Sequence, residues 1–424
     1  MPHRRAASRC PPGLAPLLAL ACLGPAAMAE TSPWFVGVSQ GLSHDSNLYR
    51  IGTDTPLGAG FSRSDTVSNT SLVAGLDQPI GRERLYANAK LGVIRYRDND
   101  YLNDNSYNLT AGLDWSSVER VSGNLGMVAS RNQRSFNVDT GPNAVETRKN
   151  NENVAQLDAA VRVGVVTPLT LEGSLGYRQV GYSAPEYESS QYRQVRGSLG
   201  ARYRPGIAAF GVSLSLADTN YDQSPTQVAS GQAAARVRRT GLDLTGDWPA
   251  SGGSTLYARL SPTRVTYDQF TQRDFSGLTG SLKWNWLPTG KLMVETRLVH
   301  DIGQDSSFET FGGPVVVGAS NTGRITTELR LAAGYELTAK IVLNAALGTS
   351  HRALEQTASA PGVSVVTATG ADDTTTLSLG ARWTPSRAMQ LSCNVARDQR
   401  SASGSLTRGY RANVIGCTGQ FTLQ

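Results

Sequence analysis

Apolar and polar residues alternate through Tyr107-Asn-Leu109-Thr-Ala111-Gly-Leu113-Asp-Trp115: odd positions are apolar, and even ones are Asn, Thr, Gly and Asp. Successive side chains of an extended strand point to opposite faces, so a period of two predicts a strand with one greasy and one polar face. The pattern returns in Leu171-Glu-Gly-Ser-Leu175-Gly-Tyr177, Val195-Arg-Gly-Ser-Leu199-Gly-Ala201-Arg-Tyr203 and Phe210-Gly-Val212-Ser-Leu214-Ser-Leu216. It recurs in Leu242-Asp-Leu244-Thr-Gly-Asp-Trp248 and Ile325-Thr-Thr-Glu-Leu329-Arg-Leu331.

Such runs predict strands near 34–44, 66–78, 84–97, 104–115, 121–134, 150–165, 170–181, 191–203, 208–219 and 236–248. Others follow near 254–267, 274–286, 291–301, 324–335, 341–351, 373–383, 388–398 and 409–424, eighteen in all. Short turns such as Pro79-Ile-Gly-Arg82, Leu287-Pro-Thr-Gly290 and Thr384-Pro-Ser-Arg387 alternate with longer polar stretches, notably 45–65, 135–149, 220–235, 302–323 and 352–372. An even strand count, strands long enough for a tilted crossing, and short turns on one side only predict an all-β transmembrane antiparallel barrel. In an outer membrane the short side is periplasmic, which would put both termini there.

The tryptophans agree. Trp34, Trp115, Trp248, Trp284, Trp286 and Trp383 all fall at the same end of their predicted strands, beside the short turns. A soluble core has no reason to ration its largest side chains in this way. Indole rings settle at a bilayer boundary, apolar body in lipid and polar edge in water, and so form an aromatic girdle.

Composition alone would mislead. Mean hydropathy is −0.27, because barrel strands carry apolar residues singly rather than in runs. The one apolar run is N-terminal: Arg4, Arg5 and Arg9, then Leu14 to Leu23, then Ala27-Met28-Ala29, which predicts an export signal over 1–29 and a single barrel domain over 30–424. Lipidation at Cys22 is a competing reading, weakened by Ala19 where a larger aliphatic is wanted. Removing the three signal arginines from the 40 basic residues leaves 37 against 34 acidic ones, so the pI of 9.2 does not argue for a nucleic-acid partner.

Parity assigns the polar face, and hence the lumen, an excess of cations. Arg162, Arg178, Arg196, Arg202, Arg239, Arg259, Arg297 and Arg330 are the pore-lining candidates, with Asp158, Glu172, Asp243, Asp247, Glu295 and Glu328 among the carboxylates against them. Paired charges would brace a hydrated wall; a surplus of arginine would draw in an anionic solute. Cys393 and Cys417, the cysteines left after the signal, share the greasy parity of the last two strands. Folding that hairpin about Ser405 sets them opposite each other, which predicts a disulfide in an oxidising compartment. His44, His300 and His351 lie near outer strand ends, with no Ser or Asp arranged with them in the recognisable spacing of a nucleophilic site. Asp45-Ser-Asn47 is either a capped turn or a cation or substrate site. No metal cluster, P-loop or dinucleotide fingerprint occurs, so neither catalysis nor a cofactor is expected.

The start of the mature chain resembles exopolysaccharide biosynthesis operon proteins of the EpsL type, within the broader β-barrel porin families. The matching residues are Asp45-Ser-Asn-Leu-Tyr-Arg50, Arg63-Ser-Asp65, Asp77-Gln-Pro-Ile-Gly-Arg82, Tyr96, Tyr101-Leu102 and Ala111-Gly-Leu-Asp-Trp115. The resemblance implies a Gram-negative outer-membrane barrel, bedded in outer-membrane lipid, that serves export of a secreted polysaccharide. Its partners would be an anionic polysaccharide and periplasmic export components. A general small-solute porin and a structural barrel tethering an export complex are the alternatives. The terminal residues depart from the preferred pattern, since Phe421 is followed by Thr-Leu-Gln424.

Overall fold

The computed structural model describes residues 32–117, 120–136, 147–223, 234–268, 274–302, 323–360, 363–404 and 406–424. The expected signal over 1–29 lies outside them, as do most of the stretches 135–149, 220–235 and 302–323. Pro33–Gln424 forms one compact unit.

Eighteen strands make up that unit. The first nine are β1 (Trp34–Asp45), β2 (Asp65–Ile80), β3 (Glu83–Tyr96), β4 (Asp104–Ser117), β5 (Val121–Gln133), β6 (Asn151–Val163), β7 (Leu169–Tyr182), β8 (Tyr192–Tyr203) and β9 (Ala209–Tyr221). The rest are β10 (Arg236–Ser251), β11 (Ser254–Tyr267), β12 (Phe275–Thr289), β13 (Leu292–Ile302), β14 (Gly323–Thr338), β15 (Ile341–Ala360), β16 (Val363–Ser386), β17 (Met389–Gly404) and β18 (Tyr410–Leu423). Each pairs antiparallel with its neighbours in sequence, and β1 pairs with β18 from Val36–Leu423 to Asp45–Val414. The sheet therefore closes, and no edge is left to seek another strand.

Strand positions follow the alternation closely, with one correction. The expected loop 352–372 is mostly strand: β15 runs on to Ala360 and β16 begins at Val363. That segment, Val363-Ser-Val-Val-Thr-Ala-Thr-Gly370, is dense in β-branched residues that favour extended backbone. Polarity suggested a loop there; backbone preference extends the hairpin.

The outer face is predominantly greasy around the ring. Leu72, Leu91, Leu125, Leu157, Leu175, Leu199, Leu214, Leu260, Leu347 and Leu379 are among the exposed leucines, and nearly every strand around the ring carries at least one. No helix among the described residues is long and apolar enough to cross a membrane; here the strands cross. All six tryptophans sit at the short-turn end. Trp34, Trp248 and Trp383 are about half exposed, and Trp284 stacks on Trp286 with ring centroids 5.3 Å apart. Trp115 lies over its ladder partner Gly123, where a Cβ would come within 2.5 Å of the indole. The turn between β2 and β3 needs only Gly81 and Arg82, with Gly81 at φ +64°, the left-handed conformation that such two-residue hairpins require.

On the greasy face of the final hairpin the ladder sets Cys393 directly opposite Cys417, and the structure joins them in a disulfide. It lies beside the β1–β18 closure, where Leu42 is the other ladder neighbour of Cys417.

Candidate functional site in the lumen wall

The polar face of every strand points into the barrel, and its charges fall into two arrangements. Across β6 to β10, Arg196, Arg202 and Arg239 are paired with carboxylates. Arg196 on β8 reaches over β7 to Asp158 on β6, Nη2 donating to Oδ1 at 2.6 Å. Asp158, Gly176 and Arg196 occupy one ladder row. A Cβ at Gly176 would lie 2.6 Å from both the Arg196 Nε and the Asp158 Oδ1. The bridge exists because the strand it crosses carries glycine there. Arg202 likewise grips Glu172 on β7 (2.9 Å) and, across β9 at its row partner Gly211, Asp247 on β10.

Arg239 spans further. From β10 it passes over β11 and β12 to donate to Asp301 on β13 (2.7 Å) and to the Ile302 carbonyl (2.8 Å). Thr263 and Thr279 beneath it are almost wholly buried, although they stand on the wall of a barrel. Arg259 pairs with Asp243 on the adjacent strand at 3.0 Å. Four of the eight candidate arginines are thus neutralised locally, and each strand-crossing bond ties together strands that the backbone ladder does not.

Across β12 to β16 the arrangement differs. Lys283, Arg297 and Arg330 stand opposite one another in a single row on β12, β13 and β14. Like charges set directly opposite destabilise a strand pair by roughly 0.2–1 kcal/mol. Lys283 has Glu295 at 3.1 Å. Arg297 and Arg330 have no carboxylate within 4.0 Å among the described residues, although Glu328 acts on both from the neighbouring row. Beyond Arg330 the row continues with Gly348 and Thr376, and the next row with Ala332, Ala346 and Ser378. This stretch of wall is low and uncharged. Among the described residues, Arg178 meets Gln156 (3.3 Å), and Arg162 faces Glu172, which Arg202 holds from the other side.

Comparisons with known proteins find distant likenesses. No family model and no curated protein matches the chain. Among solved structures it is similar to OccK2 (OpdF) of Pseudomonas aeruginosa, at 11% identity and a TM-score of 0.47, over 92% of this chain and 98% of that one. The outer membrane protein opdK of the same organism matches at the same identity and score, over 92% and 99%. The siderophore receptor PirA of Acinetobacter baumannii matches at 6% identity and a TM-score of 0.45, over 93% and 81%. Identities this low say nothing of what the chain carries.

Of the residues behind the family resemblance, Asp45–Arg50, Arg63–Asp65, Tyr96 and Tyr101–Leu102 gather at the long-loop end, while Asp77–Arg82 and Ala111–Trp115 lie toward the short turns. The Asp45 carboxylate accepts the Asn47 amide at 2.9 Å and pairs with Arg50 at 2.8 Å. The Asn47 amide donates to the carbonyls of Ile51 and Arg411, so the loop after β1 is fastened to β18. The Asp65 carboxylate, wholly buried, accepts the backbone amides of Arg97, Asp98 and Asn99 and the Asn99 side chain. Arg63 donates to the carbonyls of Gly52 and Thr55. Tyr49, Ile51 and Leu102 fill the space between, and burial holds the Tyr49 phenol well above its ordinary pKa, aided by its bond to Tyr101. With the Asp45 and Asp65 carboxylates engaged internally, Asp45-Ser-Asn47 is a capped turn within a structural clasp. Among the described residues no group of His, Cys, Asp and Glu is placed to hold a metal.

Two features are invisible to strand-by-strand reading. Tyr192, Tyr221 and Tyr267 point inward with Val180, Val237 and Val265 and form a buried apolar collar at the long-loop end. His351 has a carboxylate partner after all: its Nδ1 lies 2.8 Å from Asp373 Oδ1 on the outer face. No hydroxyl is hydrogen-bonded to that ring among the described residues, while His300 meets Thr327 at 2.8 Å, so no nucleophile–base–carboxylate chain forms.

Proposed function

We propose that this barrel is a passive outer-membrane channel for anionic solutes, with its short turns and both termini in the periplasm. The contrast between its two faces carries the reading: leucines face out around the ring, while a wall with Lys283, Arg297 and Arg330 abreast in one row faces in. A wall of this kind conducts without chemistry. Ions and small solutes would cross in water, drawn by field rather than bound by a reacting group.

The resemblance over the first strands supports a more specific role in export of an anionic polysaccharide, with periplasmic export components meeting the short-turn rim. Purified protein in planar bilayers, held across a salt gradient, tests the channel. Discrete steps with a reversal potential on the anion side are expected. A barrel that inserts and passes no current would leave the tethering role instead.

A further inference from the structure

The row Lys283–Arg297–Arg330 ends on a recess. At Gly348, the ladder partner of Arg330, a built Cβ meets no heavy atom within 4 Å. Ala332 and Ala346 floor the neighbouring row, and Thr376 and Ser378 stand on the far side. Neither of those hydroxyls has a hydrogen-bond partner among the described residues. The molecule therefore sets two forked guanidinium groups at one edge of an open patch and unused hydroxyls at the other, with nothing bulky between among the described residues.

We infer that Arg297, Arg330 and Lys283, with the recess beside Gly348, form a binding station for a hydroxylated carboxylate, the chemistry of an acidic sugar unit. Arg297 and Arg330 take the carboxylate, because a guanidinium fork matches two oxygens. Thr376 and Ser378 take hydroxyls of the same unit. Binding would relieve the like-charge crowding of the empty row, so charge and recess select together. The inference deepens the channel reading by naming what pauses in it, and rests on that reading for access.

The test is interruption of chloride current by galacturonate, with galactose and acetate as probes that each lack one half of the chemistry. Galacturonate at millimolar concentration is expected to block, galactose not at all, and acetate only at tenfold higher concentration or more. R297Q/R330Q should raise the half-blocking galacturonate concentration at least tenfold. G348L, which fills the recess and leaves every charge in place, should do the same. Equal block by galactose, or unchanged block in either variant, would overturn the station. Should the barrel pass no current, titration calorimetry on detergent-solubilised protein decides instead. Binding lost in R297Q/R330Q would uphold the station while the channel reading fails; absent or unchanged binding would end it.

Discussion

The wall of β6 to β10 and the wall of β12 to β16 are built from the same alternation, yet they treat charge in opposite ways. In the first, arginines reach across whole strands to carboxylates, and Gly176 lies beneath the Arg196–Asp158 bond. In the second, cations stand abreast on neighbouring strands, and the small residues Gly348, Ala346 and Ala332 lie beside them, not beneath. Small residues thus mean two things in one barrel. Where charge crosses them they permit bracing; where it stops short of them they leave room for a guest.

The same substitution in both walls gives the largest difference. Gly176→Val would drive a side chain between Arg196 and Asp158, and a loss of about 2–3 kcal/mol in folding stability is expected. Gly348→Val meets open space on a strand, where a β-branched residue packs well, and should cost about nothing. Urea unfolding in detergent compares them; equal losses would erase the distinction between the walls.

A smaller effect separates the charges themselves. R196Q/D158N removes a bond across β7 and should lower stability by roughly 1 kcal/mol, the range of a partly exposed bridge. R297Q/R330Q relieves repulsion and should leave stability unchanged or slightly raised. A marked loss in the second pair would mean that those arginines brace the wall after all.

Smallest is the cysteine pair, on the lipid face of the closing hairpin. C393S/C417S is expected to cost about 1 kcal/mol, below the usual 2–4 for a disulfide, because the strands it joins are already paired. Alkylation of denatured, unreduced protein should modify neither cysteine. Two modified thiols would show that the bond does not form in the mature barrel.

Much of this was legible in the sequence, for local reasons. A strand that faces lipid on one side must alternate, so nearly every strand could be placed from its own residues. The pairing of Cys393 with Cys417 followed from the centre of a single hairpin. The bridges were not legible, because Arg196 and Asp158 lie on strands that are not neighbours; their partnership appears only once the register of β6, β7 and β8 puts Gly176 between them. Grouping the eight arginines as one anion-attracting set therefore joined neutralised residues to exposed ones. A signal was available: opposite charges and a glycine falling in one row. The clasp was half visible, since Asp45 and Asn47 read as a turn, but Asn99 carried no mark of its role as a ligand to the Asp65 carboxylate.

Charge preference in the bilayer tests the division of the wall most directly. Reversal potentials under a fixed potassium chloride gradient would be compared for the parent, R297Q/R330Q and R196Q/D158N. The parent should be anion-selective, R196Q/D158N should match it because the pair carries no net charge, and R297Q/R330Q should lose most of the preference. A reversal potential in R297Q/R330Q equal to the parent's, or an equal displacement in R196Q/D158N, would contradict it.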